Sequence, residues 1–145
     1  MMDEQIIIDA KNSILGRLAS YIAKKILQGN HVIVINVEKA IISGKKSSAT
    51  KKAKSRLKTR TLASLEKSPK HPRRPDTLFR RVVRGMLPWK KPKGKEAYKR
   101  LKVFIGVPEE FKDKPTISIK EASASKLHCP CITLEDFAKE LGWVK

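Results

Sequence analysis

Val32-Ile33-Val34-Ile35-Asn36-Val37 is a nearly continuous β-branched run, the pattern of a strand covered on both faces. Upstream, Ile14, Leu15, Leu18, Ala19, Ile22, Ala23, Ile26 and Leu27 recur at helical spacing and make one apolar face, with Arg17, Lys24 and Lys25 turned outward. Asn12 or Ser13 can cap that helix, and Gly29 ends it. Gln5–Asp9 is a short apolar run consistent with a first buried strand, with Asp9 a turn or cap residue. Strand, helix and strand with short connections form a βαβ unit, which requires a parallel sheet. The expected fold is therefore α/β: three layers, α/β/α, around a small parallel sheet, with basic helical and loop extensions. A chain of 145 residues fits one domain, 1–145, and is long enough to bury a real core.

Charge is distributed very unevenly along this chain. Lys45 to Lys102 holds 22 Lys or Arg against three acids, Glu66, Asp76 and Glu96, a net of +19. The remaining 87 residues balance 11 basic side chains against 11 acidic ones. Such a block repels itself in a compact state and calls for a polyanion. Nucleic acid supplies one charge per phosphate, and displaced counterions give affinity without sequence dependence. A merely solvated surface would intersperse both signs. An import or heparin-type patch needs only a short basic run. An acidic membrane surface would want large apolar residues opposite the charges, which most of the block lacks. The acidic opening Met1-Met2-Asp3-Glu4 is unlike a secretory or organellar signal, and the expected setting is soluble and cytosolic.

Within the block, Ala40–Ser43 is apolar and breaks at Gly44. Lys45 and Lys46 lead into a helix expected from about Ser48 to Leu65. Ala49, Ala53 and Leu57 give it a thin stripe surrounded by Lys51, Lys52, Lys54, Arg56, Lys58 and Arg60. A helix so polar cannot be held by its own core, so something outside the domain should hold it. Ser68–Pro75 is an extended basic loop containing His71, Arg73 and Arg74. Asp76 is expected to cap a second helix, with Leu78, Phe79, Val82, Val83 and Met86 inward and Arg80, Arg81 and Arg84 outward. Pro88 stops it, and Trp89–Lys95 adds Lys90, Lys91, Lys93 and Lys95. A short helix through Ala97, Tyr98 and Leu101, carrying Lys99 and Arg100, then enters an apolar strand, Lys102–Ile105. Thr116–Ile119 alternates like a strand, and Thr133 with Asp136 opens a terminal helix buried through Leu134, Phe137, Ala138 and Leu141.

Motifs of other chemistries are weak. Gly44-Lys45-Lys46-Ser47 has a phosphate-loop look, but the Walker pattern needs a glycine where Lys39 stands. A polynucleotide phosphate suits the same geometry better. Cys129 and Cys131 lack a second ligand pair for zinc, and a C-x-C disulfide would be strained, so they read as packed free thiols. No nucleophile–base–acid arrangement is visible. No catalytic residue, metal, cofactor or small-molecule substrate is expected. Trp89 serves base stacking or packing equally well, whereas Tyr98 is read as packing, so recognition by shape and phosphate outweighs base reading.

Arg84-Gly85-Met86-Leu87-Pro88, taken with Leu101-Lys102-Val103-Phe104-Ile105-Gly106-Val107-Pro108, closely resembles the universal large-subunit ribosomal protein family thirteen. Ile8-Asp9-Ala10, Leu15–Ser20, Ala23-Lys24, Val34–Asn36 and Ile42–Gly44 resemble it too, and the likeness spans roughly Ile7 to Pro108. Trp89-Lys90-Lys91-Pro92 and the Val-Phe-Ile-Gly-Val-Pro ending resemble the archaeal and eukaryotic branch, and the short tail after Pro108 favours an archaeal source. The resemblance implies an α/β body bound to large-subunit ribosomal RNA from an early stage of assembly, in the cytoplasm, with neighbouring ribosomal proteins as contacts. It also implies that Arg84, Gly85, Met86 and Pro88 face RNA. Phosphate contacts are expected above all from Lys45, Lys46, Arg73, Arg74, Arg80, Arg81 and Arg84. The alternative is a free-standing DNA- or RNA-binding protein, which would not co-sediment with ribosomes. An enzyme comes third, marked by nucleotide-stimulated phosphate release.

Overall fold

The computed structural model describes residues 5–144, so the acidic opening Met1–Glu4 lies outside the described residues. Its elements run β1 (Gln5–Asp9), α1 (Leu15–Leu27), β2 (His31–Ile35), β3 (Ile41–Ser43), α2 (Lys46–Lys58), α3 (Pro75–Gly85), α4 (Pro92–Lys99), β4 (Leu101–Val103), β5 (Cys131–Thr133) and α5 (Leu134–Glu140). Short 3-10 turns join several of them. The expected βαβ unit is present: β2 lies between β1 and β4, and both pairings are parallel.

The apolar strands are explained by cover on both faces. Alternate residues Ile8, Val32, Val34 and Leu101 meet Leu18, Ile22 and Ile26 of α1, Phe79 and Val83 of α3, and Ala97 of α4. The intervening Ile7, Ile33 and Ile35 meet Phe111 and Phe104, whose ring centroids are 5.7 Å apart. Sheet and helices thus form the expected α/β fold, but the third layer of the α/β/α expectation is not helical in the described residues. Among the described residues the second face is closed by the 3-10 turn Glu109–Phe111, where the first is closed by helices.

Several local expectations change. The β2 ladder stops at Ile35 because Asn36 adopts a left-handed conformation, φ 53°, and its side-chain amide donates to the Asp9 carboxylate at 3.1 Å. Asp9 is the last residue of β1, and its carboxylate serves the turn that follows, accepting from the Lys11 N–H at 2.9 Å. Neither Asn12 nor Ser13 caps α1. Ile14 holds that position without a side-chain cap, because Ser13 and Ile14 bridge to Ser123 and Ile41. Gly29, φ 107°, does end the helix. Its N–H bonds the Ile26 carbonyl and that of Asn30 bonds Lys25, the pairing of a Schellman motif. Thr116–Ile119 reduces to a single bridge, in which Ile117 donates to the Ile7 carbonyl and accepts from the Asp9 N–H along the free edge of β1.

The terminal helix starts as expected. Thr133 Oγ1 accepts from the Asp136 N–H at 3.2 Å and donates to its carboxylate at 2.9 Å. β5 pairs antiparallel with β3, which sets α5 beside the start of α2. Cys129 and Cys131 are free thiols but exposed rather than packed, since Ile132 takes the inward position of β5. No described helix is long and apolar enough to cross a membrane.

Phe79 is the largest fully buried side chain and joins α3 to α1 and the sheet. Phe79→Ala should lower unfolding stability by roughly 3–5 kcal/mol through lost transfer energy and the residual cavity. Denaturant titration by circular dichroism measures it. A loss below about 1 kcal/mol would show that the site collapses freely and is not the anchor of α3.

Candidate nucleic-acid interface

The basic block folds as three pieces with different support. The first is α2. It runs from Lys46 to Lys58, starting earlier and ending sooner than the expected 48–65. Beyond Thr59 the apolar side chains are not buried: Leu62 is fully exposed and Leu65 largely so. Arg60 accordingly lies past the helix. Lys45 occupies the N-cap position after Gly44, φ 119°, with no side chain capping the first turn. Lys51, Lys52, Lys54, Arg56 and Lys58 are exposed.

What holds α2 is inside the chain, contrary to expectation. Lys46 and Lys54, two turns apart, grip the two oxygens of Glu140, each at 3.2 Å. Hydrogen bonds from Lys54 and then Lys46 hold the Glu140 carboxyl below the usual glutamate range. Glu140 is the last residue of α5, where a negative charge opposes the helix dipole, so its role is the clasp. Nothing in the sequence pattern marked it. Behind the clasp lies an apolar cleft of about 540 Å³ between α2, α3 and α5, lined by Ala53, Leu57, Leu78, Val82, Phe137 and Leu141. Lys52, Arg56, His71 and Arg81 stand on its rim.

The second piece is the loop to α3. Asp76 does not cap that helix; Arg74 is the N-cap and Pro75 the first helical residue. Asp76 instead pairs with Arg74 at 3.1 Å and accepts from the Thr77 N–H. Arg73 is exposed, and its guanidinium lies close to Gly142.

The third piece is α3, the turn after it, and α4. Phe79 and Val83 are buried as expected, but Met86 is 42% exposed. It follows the last helical residue, Gly85, and the inward position passes to Leu87. Arg81 faces outward, whereas Arg80 and Arg84 are half-buried over aromatic rings. Arg80 lies 5.0 Å from the Tyr98 centroid and Arg84 4.3 Å from that of Trp89. The two rings meet edge to face at 5.2 Å. Both aromatics are thus committed internally, which decides the open reading of Trp89. Gly94 lets α4 approach, since a Cβ there would strike the Pro88 carbonyl. Lys90, Lys91, Lys93, Lys95 and Lys99 are exposed, as are Gly85 and Pro88. Arg100 is placed elsewhere, donating to the Ile26 carbonyl at 3.4 Å near the end of α1 and lining a cleft with His31 and Lys102.

The second and third pieces converge on another cleft of about 360 Å³, lined by Lys70, His71, Pro72, Thr77, Arg80, Arg81, Arg84 and Tyr98. Lys70 and Thr77 were not singled out in the sequence; their proximity to α3 is set by the proline-bearing loop. Among the described residues only Lys46, Lys54 and Arg74 of the whole basic block are ion-paired. No group of His, Cys, Asp and Glu that could hold a metal occurs among them.

A family model described as ribosomal protein L13 matches residues 3–110, which include every part of this cationic surface up to Arg100. The chain belongs to the ribosomal protein L13 family. Relatives named large ribosomal subunit protein uL13 agree along nearly the full length. That of Methanopyrus kandleri is 47% identical over 97% of this chain and 89% of its own. That of Archaeoglobus fulgidus is 42% identical over 97% and 90%. That of Sulfurisphaera tokodaii is 41% identical over 98% and 97%. These relatives are archaeal, in line with the branch expected from the Trp89–Pro92 segment.

The clasp responds to acid with a definite sign. A depressed Glu140 pKa means the contact is intact above the ordinary carboxylate range and is lost as pH falls through the lowered value. Glu140→Gln should therefore speed limited trypsin cleavage within Lys46–Lys58 at low salt. The difference should fade at high salt, where wild-type pairs are also screened. Equal cleavage of both proteins at low salt would mean that α2 is held by its apolar stripe alone.

Proposed function

We propose that this protein is a structural constituent of the large ribosomal subunit, working in the cytoplasm, that binds large-subunit ribosomal RNA and supports early subunit assembly. The observation that carries the proposal is a family of large-subunit proteins joined to a basic block left almost without internal counterions. The α/β body supplies a rigid support. Lys51, Lys52 and Arg56 on α2, Arg73 and Arg81 near α3, and Lys90, Lys91 and Lys93 beside α4 are free to meet phosphates from different RNA segments. A protein that neutralises phosphates on several segments draws them together, which is the physical content of an assembly role. Phosphate contacts set position, so shape rather than base sequence is what such a surface reads. The neutral remainder of the body offers surface to neighbouring ribosomal proteins. The family is one of ribosomal structural proteins, and no enzymatic step is assigned to this chain.

Two measurements test the reading. A lysate of the native source is run on a sucrose gradient, and the chain should migrate with the large subunit and survive a high-salt wash. Recovery in the light fractions would overturn the ribosomal assignment. The second concerns the RNA contacts. Replacing Lys51, Lys52 and Arg56 with Gln should leave the far-ultraviolet spectrum and melting unchanged. It should reduce the slope of log affinity against log salt by about one unit per lost contact. An unaltered slope would remove α2 from the RNA interface.

A further inference from the structure

The cleft between Lys70–Pro72, the start of α3 and Tyr98 differs from the rest of the basic surface. Elsewhere the lysines stand apart on long flexible stems. Here Lys70, Arg80, Arg81 and Arg84 share one concavity, and no carboxylate of the described residues lines it. Arg80 and Arg84 lie one helical turn apart, a spacing at which like charges repel and would normally splay. They are kept from splaying by the stacked aromatics, Arg80 on Tyr98 and Arg84 on Trp89. A guanidinium lying on a ring still has its N–H donors around its edge. The Nε–H of Arg80 is buried and has no acceptor among the described residues. A buried donor left unmet is unfavourable, and none of the described residues relieves it.

We propose that this cleft is a preformed site for one phosphate group, a phosphodiester of bound RNA, gripped by Arg80 and Arg84 with Lys70 and Arg81 beside them. The inference rests on the RNA-binding reading above and narrows it to a single subsite. The anion is phosphate rather than a base because the ring faces that would stack a base are already covered by guanidinium groups. Planar forks fit a tetrahedral oxyanion through paired hydrogen bonds, which chloride cannot accept in the same way. The site is selective for the shape of its anion, whereas the lysines of α2 and α4 respond to charge alone.

The full chain, labelled with 15N, is titrated with inorganic phosphate against sodium chloride at matched ionic strength, observing arginine Nε–H signals. Phosphate should shift Arg80 and Arg84 saturably while Arg60 and Arg73 stay still, and chloride should do neither. Arg80→Lys keeps the charge but loses the fork, and should weaken phosphate binding about ten-fold. Tyr98→Leu should weaken it as well; if that variant unfolds, Arg80→Lys alone decides. Shifts that spread evenly over all arginines, or that chloride reproduces, would overturn the site. A short RNA duplex gives the second arm. RNA that moves the same two signals and is displaced by phosphate supports the phosphodiester. RNA that binds with Arg80 and Arg84 unmoved overturns the subsite while leaving the RNA reading intact. Saturable phosphate binding without any RNA binding would instead overturn the RNA reading and the phosphodiester, and leave a site for free phosphate.

Discussion

Packing of Phe79 and Val83 against α1 and the sheet is the contact on which the cationic surface depends, because it attaches a charged helix to a neutral body. α3 carries Arg80, Arg81 and Arg84 on the same three turns as those buried residues. Burial of a Phe and a Val side chain contributes on the order of 1.5–3 kcal/mol each, enough to offset repulsion between partly screened arginines. The helix therefore holds its charges in place without needing internal carboxylates to cancel them. From that anchor follow the position of Leu87 in the core, the tight turn at Pro88, and the close seat of α4 that Gly94 allows.

α2 is the counterexample within the same chain. It is of similar length and more strongly cationic but buries only Thr50, whose hydroxyl turns back to the Lys46 carbonyl. With little apolar area to hold it, its attachment passes to Glu140, an exposed and screenable contact. One cationic helix is fixed by hydrophobic burial and the other by a carboxylate that occupies two of its lysines. In the RNA-binding reading proposed above, phosphates would compete for Lys46 and Lys54 with that carboxylate, and α2 would change partners without disturbing the sheet. α3 would not.

The sequence made the body legible because burial imposes periodicity. Val32–Ile35 reads as a two-faced strand since both its faces are in fact covered, and the α1 stripe at Leu18, Ala19, Ile22 and Ile26 matches the buried set. What escaped were features without a period. Asn36 ends β2 by taking a left-handed conformation that hydrogen-bonds Asp9, a contact with a residue far away in sequence. The start of α1 is set by bridges from Ser13 and Ile14 to later segments, which no local capping rule contains. Met86 falls on the helical stripe, yet the helix has already ended, and Leu87 turns inward in its place. The charge of the interface was plain, while its grouping was not. Glu140 and Lys70 join it only through tertiary proximity, and Arg100 leaves it to bond the end of α1.

The choice of aromatic rings over carboxylates to hold Arg80 and Arg84 has a consequence for how the surface can function. A carboxylate that fixed each arginine would also neutralise it and occupy its fork, so a phosphate would have to displace it, as it must at Lys46 and Lys54. Tyr98 and Trp89 hold each guanidinium by its face without cancelling its charge. The rings also support each other edge to face, so the two arginines are held by one assembly rather than by two independent contacts. Ordering entropy that a free arginine would lose on binding is already lost in folding. The arginines of the α3 cleft are therefore braced by rings before any partner arrives, and the lysines around it have no such brace. In the proposed RNA complex, such a division would let a few fixed contacts set register while the surrounding charge supplied attraction that tolerates different RNA geometries.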